Sequence, residues 1–165
     1  MMRAAVVTIS DRSSRGERPD VSGPVLRRLL EESGAEVVES AVVPDDAATI
    51  AHVLIRLADE VRCEVIITTG GTGLSPRDVT PEATEPAIDK RLPGMEAAIQ
   101  QESLKQTPFA MLSRGIAGAR GQTLIINLPG SPKAVQECFA VIEPVLSHAV
   151  KLLRDENPYQ SAPHR

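Results

Sequence analysis

An apolar run, Glu64-Val65-Ile66-Ile67-Thr68, leads directly into Thr69-Gly70-Gly71-Thr72-Gly73-Leu74-Ser75-Pro76-Arg77-Asp78-Val79-Thr80-Pro81-Glu82. A strand that stops at three glycines in four residues limits the possible folds more than any other stretch. The glycines leave backbone N–H groups without side-chain cover. Such a loop wraps an anion and closes on a helix N-terminus. Asp78 stands on the same loop. An anion cradle beside a carboxylate points to a nucleotide held with a divalent metal, and so to phosphate chemistry rather than hydride transfer.

The rest of the chain repeats the alternation. Residues 4–10 read as a strand apolar on both faces. Ser22-Gly23-Pro24 opens a helix, with Ser22 as its cap, Val25, Leu26, Leu29 and Leu30 at helical spacing, and Gly34 past its end. A second strand covers 35–43. Pro44-Asp45-Asp46 then turns into a helix over 47–61, with one of the two aspartates as its cap. The third strand is 64–69. A short helix from Pro81 to about Lys90 follows, and another runs from the Leu92-Pro93-Gly94-Met95 break to about Gln106. Between 107 and 121 the expectation is a turn at Pro108, a short element through Met111-Leu112 and a strand near 113–117. Residues 123–127 are a strand, and Leu128-Pro129-Gly130-Ser131-Pro132 turns into a last helix over 133–153. Residues 154–165 are polar, hold two prolines and are expected to be mobile.

Short strands alternating with helices predict an α/β fold with a mostly parallel, doubly wound sheet. The 165 residues suit one compact domain. Aromatic residues make up only 2% and Trp is absent, so the core is built from Val, Ile, Leu and Ala. That scarcity, with a net charge of −4, argues against a nucleic-acid surface. Cys63 and Cys138 lack metal-ligand spacing and read as reduced thiols. The N-terminal apolar run is too short for a signal segment or a membrane span, so no membrane partner and a cytoplasmic location are expected.

Open α/β sheets bind ligands beyond the carboxyl ends of their strands. Four loops leave such ends here: 10–22, 44–46, 70–81 and 127–132. The glycine loop does not fit G-x-G-x-x-G, because Pro76 takes the third position, and no Walker-type P-loop occurs. Asp45 and Asp78, on neighbouring loops, are candidates to share a Mg²⁺ that bridges phosphate oxygens. Ser131-Pro132 caps a helix whose N-terminus also suits an anion. Lys105 and Arg114 are candidates to neutralise phosphate, with a solvated surface role the alternative. Asp11, Asp20 and Ser22 read as solvated turn residues unless the crevice includes them. His52, His148 and His164 have no second ligand at metal spacing and read as ordinary histidines.

The stretch 69–84 resembles the signature of the molybdenum-cofactor biosynthesis family that contains the bacterial MogA and MoaB proteins and the G domains of a plant protein and gephyrin. Ser10-Asp11-Arg12, Ser22-Gly23-Pro24 and Val42-Val43-Pro44-Asp45 agree with it. So do Gln101-Glu102-Ser103-Leu104-Lys105, Thr107 to Arg114, and Ile126 to Pro132. The resemblance covers residues 1–153 as one molybdopterin-binding domain and is closest to the MogA and G-domain branch. It implies a Rossmann-like three-layer α/β/α sandwich and a molybdopterin adenylyltransferase. Such an enzyme moves AMP from Mg·ATP to the terminal phosphate of molybdopterin and releases pyrophosphate. The resemblance also implies a homo-oligomer, a trimer first, and a separate molybdate-inserting protein downstream. By it, Asp45 and Asp78 are assigned to catalysis and Mg²⁺. Gly70, Gly71, Thr72, Gly73 and Ser75 are assigned to the nucleotide loop, and Asn127, Pro129, Gly130 and Ser131 to the loop enclosing the nucleotide. Ser103, Lys105, Ser113 and Arg114 match the pterin-phosphate region, and Asp20-Val21-Ser22 matches a run that lines the pocket in relatives, with no role assigned to Val21. The competing reading is a non-catalytic molybdopterin-binding carrier or complex-forming module of the MoaB type. A generic dinucleotide-binding protein is disfavoured by the broken glycine fingerprint.

Overall fold

The computed structural model describes residues 1–156. Its centre is a six-stranded sheet in the order β2-β1-β3-β6-β5-β4. β1 (Arg3–Ile9), β2 (Glu36–Val43), β3 (Val65–Thr69) and β6 (Thr123–Leu128) run parallel. β4 (Lys90–Arg91) and β5 (Ala117–Arg120) complete one edge antiparallel.

Successive strand side chains point to opposite faces, and the core follows that alternation. Ala4, Val6, Val65 and Ile67 meet Leu26 and Leu30 of α2 (Ser22–Glu32) and Val135, Phe139 and Ile142 of α6 (Pro132–Leu153). Ala5, Val7, Ile9 and Ile66 meet Ile50, Leu54 and Leu57 of α3 (Ala47–Asp59), and α4 (Thr80–Thr84) adds Ala83 on that side. Aliphatic side chains from both faces of one sheet thus bury helices on both sides, giving the expected three layers. Between α1 (Asp11–Ser14) and α2 the chain loops at the carboxyl end of the sheet, and α5 (Pro93–Gln106) lies beside α6. No helix among the described residues is long and apolar enough to cross a membrane.

Three local expectations change. Ser22 does not cap α2; it is the helix's first residue. The Asp20 carboxylate takes the cap's place, accepting the Gly23 N–H at 3.0 Å and the Thr8 hydroxyl at 2.8 Å. The helix expected to reach Lys90 stops at Thr84, and a 3-10 turn follows over Glu85–Ala87. Pro86 stands in that turn, with no N–H to continue the helical ladder. The strand expected near 113–117 lies at Ala117–Arg120, because residues just before it bond elsewhere: Arg114 N–H to the Thr72 carbonyl and Ile116 N–H to Asn127 Oδ1. The two-residue β4 was not foreseen. Gly118 on β5 makes room for it, since a Cβ there would sit 2.4 Å from the Lys90 carbonyl oxygen. The expectation of a mobile tail lies outside the described residues from 157 onward; Arg154 ion-pairs with Glu64.

Candidate active site

β1 hands the chain to β2 on one side and then, through α3, to β3 on the other. The crevice between the carboxyl ends of β1 and β3 is therefore the topological switch point where such sheets bind ligands. A cleft of about 360 Å³ opens there. All four expected loops reach it. Its lining includes Ser10, Arg18, Asp20 and Ser22 from the first loop, Asp45 from the second, Gly70, Gly71 and Asp78 from the third, and Gly130 and Ser131 from the fourth.

The glycine loop is held by main-chain geometry. Gly70 has φ +101°, and a Cβ there would sit 2.3 Å from the Ile9 carbonyl oxygen. Only glycine fits between the β1 and β3 ends at that point. The Gly70 N–H donates to Leu128 at 3.1 Å, and the Thr69 hydroxyl donates to the Pro129 carbonyl at 2.7 Å. On the far side Thr80 closes the loop, its hydroxyl donating to the Gly70 carbonyl and its N–H to the Gly71 carbonyl. Behind it, buried Asn127 donates to the Thr68 and Thr84 hydroxyls at 3.1 Å each and accepts the Ile116 N–H. The opposite wall is the start of α6. Ser131 caps it by accepting the Ala134 N–H at 3.0 Å, and Pro132 follows. The 22-residue helix directs the positive end of its dipole at the cleft, with the Lys133 N–H lacking an intrahelical acceptor.

Asp46 is the cap of α3, accepting from the Thr49 N–H and hydroxyl, which leaves Asp45 as the spare carboxylate. Burial pushes the Asp45 carboxyl above the usual carboxylate range, and the neighbouring charges of Asp11 and Asp78 push the same way, against the Asp11 N–H and Arg77. The Asp11 carboxyl is held low, chiefly by its hydrogen bonds to Arg77 and then by the Asp45 N–H. Asp78 accepts the Ser75 N–H at 3.0 Å. The repulsion between Asp45 and Asp78 is what a cation would relieve. Two carboxylates without further protein ligands suit Mg²⁺, which keeps waters and substrate phosphates in its shell. No group of three or more His, Cys, Asp or Glu with metal-binding geometry occurs among the described residues.

The expected site residues thus separate. Ser22, Asp45, Gly70, Gly71, Asp78, Gly130 and Ser131 share the cleft. Thr72 and Gly73 continue the loop outside the cleft lining, and Arg114 stands behind it, donating to the Gly73 carbonyl at 2.8 Å and to the Asp78 carbonyl at 3.0 Å and pairing with Glu82. Ser75 serves Asp78. Ser113, Asn127 and Pro129 border a small adjoining cavity of about 20 Å³. Ser103 faces Cys138, Oγ to Sγ 3.5 Å, and Lys105 pairs with Glu102 at the surface. Arg18, Ser10 and Ser13 line the cleft although they were not assigned to it from sequence, and so does Asp20, which the resemblance had put at the pocket. The entry of Asp20 follows from its loop; Arg18 and the serines carry no local signal, since only tertiary folding brings them to the rim.

The MoCF_biosynth family, described as a probable molybdopterin binding domain, matches residues 5–148. The chain is 42% identical over 150 residues to the molybdopterin adenylyltransferase of Helicobacter pylori, covering 90% of this chain and 85% of that protein. It is 49% identical over 152 residues to the Drosophila melanogaster molybdenum cofactor synthesis protein cinnamon, covering 92% of this chain but 25% of that protein. The crystal structure of the molybdopterin biosynthesis enzyme MoaB from Thermus thermophilus superimposes with TM-score 0.88 at 44% identity, over 94% of this chain and 98% of that one. With a switch-point cleft, a glycine loop and a match spanning nearly all its strands and helices, the chain belongs to the MoCF_biosynth family.

Proposed function

We propose that this chain is a molybdopterin adenylyltransferase. The observation that carries the reading is the meeting of Asp45, Asp78, the Gly70-Gly71 backbone and the start of α6 in one cleft. The 42% identity to a protein of that name supports it. In the reaction a terminal phosphate oxygen of molybdopterin bonds to the α-phosphorus of ATP. The α–β bridging bond breaks, and pyrophosphate leaves. The nucleophile is already an anion, so no strong base is needed. Positioning and charge neutralisation do most of the catalysis.

The residues divide that work. Gly70 and Gly71 let phosphate oxygens approach the main chain. The α6 N-terminus and Ser131 face the same anion from the other wall. Arg18 brings a cation to the rim. Asp45 and Asp78 would hold Mg²⁺, which when bound neutralises charge on the α-phosphate and on the departing pyrophosphate. Arg114 fixes Asp78 from behind. Ser103, Lys105 and Ser113 are kept as pterin-side candidates on the family resemblance.

The same reading includes a homo-oligomer, a trimer first. What supports it is apolar surface that a lone chain leaves uncovered. Phe109 is 75% and Met111 67% exposed, and α5 buries none of its residues. A groove of about 430 Å³ between α5 and α6 is lined by Leu92, Met95, Val141, Val145 and Leu152 among others. Exposed apolar surface of this kind marks interaction sites. Cytoplasmic residence and delivery to a separate molybdate-inserting protein complete the proposal.

Purified protein incubated with molybdopterin, Mg²⁺ and α-labelled ATP tests the reading. An AMP–pterin adduct with matching pyrophosphate is expected. Tight pterin binding without adduct overturns it in favour of the non-catalytic carrier.

A further inference from the structure

Asp11 does not line the cleft, yet it stands on one of the four loops that build it and bonds to two of the others. Its N–H donates to Asp45 Oδ2 at 2.9 Å, and the Asp45 N–H donates back to Asp11 Oδ1 at 3.0 Å. This reciprocal pair joins the loop after β1 to the loop after β2. The glycine loop is added by Arg77, whose Nε and Nη2 reach Asp11 Oδ2 and Oδ1 at 2.9 and 3.1 Å. The fork is two-pronged, the geometry in which a guanidinium fixes direction as well as distance. The Asp11 side chain is 18% exposed and the Arg77 side chain 66%, so the carboxylate is the hub and the arginine the outer strap.

The consequence falls on Asp45. One of its oxygens is taken by the Asp11 N–H, and its own N–H is anchored to the same residue. The other oxygen, Oδ1, is thereby turned toward the glycine loop, 3.1 Å from where a Cβ at Gly71 would stand. We propose that Asp11 is a positioning residue that sets the direction of the Asp45 carboxylate, with Arg77 holding Asp11 in register with the glycine loop. The proposal rests on the adenylyltransferase reading for its activity test, but the geometry it describes is independent of that reading. A staple that served stability alone would not need to occupy both the carboxylate and the N–H of the cleft aspartate.

The test compares Asp11→Ala, Asp11→Asn, Asp11→Glu and Arg77→Gln with the wild type. Three readouts are taken: AMP transfer, calorimetric titration with Mg²⁺ and a non-hydrolysable ATP analogue, and thermal melting. Asp11→Ala is expected to lower kcat on the order of 100-fold, the cost of misplacing a reacting geometry by about 1 Å, while KM for molybdopterin changes less than about twofold. The Mg²⁺ concentration for half-maximal analogue binding is expected to rise about tenfold, roughly the size of a lost positioning contact. Asp11→Asn keeps an acceptor for the Asp45 N–H and is expected to recover to within about fivefold of wild type, with Arg77→Gln beside it. Asp11→Glu keeps the charge but moves it by a methylene, and is expected to show the same kcat-only loss at smaller size. It carries the comparison if Asp11→Ala does not melt cooperatively. Asp11→Ala within threefold of wild type overturns the proposal. So does Asp11→Asn as impaired as Asp11→Ala, or a loss confined to pterin KM. If the wild type itself transfers no AMP, the functional reading fails, and the Mg²⁺–analogue titration alone decides on Asp11.

Discussion

Asp45 is strained electrostatically in the free protein. Its raised carboxyl pKa means that the folded chain holds the proton more tightly than the unfolded chain does. Ionising it therefore costs stability, a cost that sets in as pH rises past the unfolded value and is complete above the folded one. Asp45→Asn removes that cost while keeping an acceptor for the Asp11 N–H. The variant is expected to melt at a higher temperature than wild type at pH 7, with the difference shrinking to nothing below about pH 4, near the unfolded carboxyl value. AMP transfer is expected to fall to background in the same variant, as it is in Asp78→Ala. A melting series across pH, beside the transfer assay, checks both. Gly70 is the opposite case, where the residue type rather than its charge is decisive. Gly70→Ala forces a side chain at positive φ into the Ile9 carbonyl. It is expected to cost about 2–4 kcal/mol in urea unfolding, the range for backbone strain plus a clash. That glycine and the spare aspartate were both legible in the sequence, because each is fixed by a local event: a strand ending, and a helix needing one cap from a pair. Asp11 was not. It reads as a turn residue, and its role exists only once the loop 34 residues further on lies against it.

At the scale of elements, the glycine loop is held from behind by a buried polar scaffold rather than by apolar packing. Asn127 on β6 links Thr68 of β3, Thr84 of α4 and the backbone before β5. Asn127→Ala leaves two hydroxyls and one N–H with a partner removed at buried positions. A loss of about 2–4 kcal/mol is expected in chemical denaturation, with a clear drop in melting temperature and little change in KM for ATP. A family-assigned nucleotide residue would give the reverse order, so the comparison separates a scaffold role from direct contact. The elements themselves were legible where their patterns were strong: the parallel strands are runs of Val, Ile and Ala, and α2, α3 and α6 repeat leucines or isoleucines at helical spacing. The antiparallel edge was not, for a physical reason. β4 is two exposed charged residues and β5 is Ala-Gly-Ala-Arg, so neither has a hydrophobic period or strand propensity to read. Their pairing is specified by the neighbour they lie against.

For the whole molecule, the apolar surface along α5, α6 and the 3-10 turn over Pro108–Leu112 bears on assembly. Light scattering on the purified chain is expected to give a mass near three times 17.7 kDa. Phe109→Asp combined with Met111→Asp is expected to reduce that mass while leaving the melting of the individual chain nearly unchanged, as exposed positions allow. A monomeric wild type would remove the assembly from the reading without touching the cleft. The sheet also has two unlike ends. The cleft lies beyond the carboxyl ends of the parallel strands. Met1, Met2, Lys151 and Arg154 gather around Glu64 at the amino ends instead. The first residues of β1 and the end of α6 therefore lie away from the mouth of the cleft. A layout of that kind keeps the foot of the sheet, where the chain is tied down, apart from the lip that opens to a ligand.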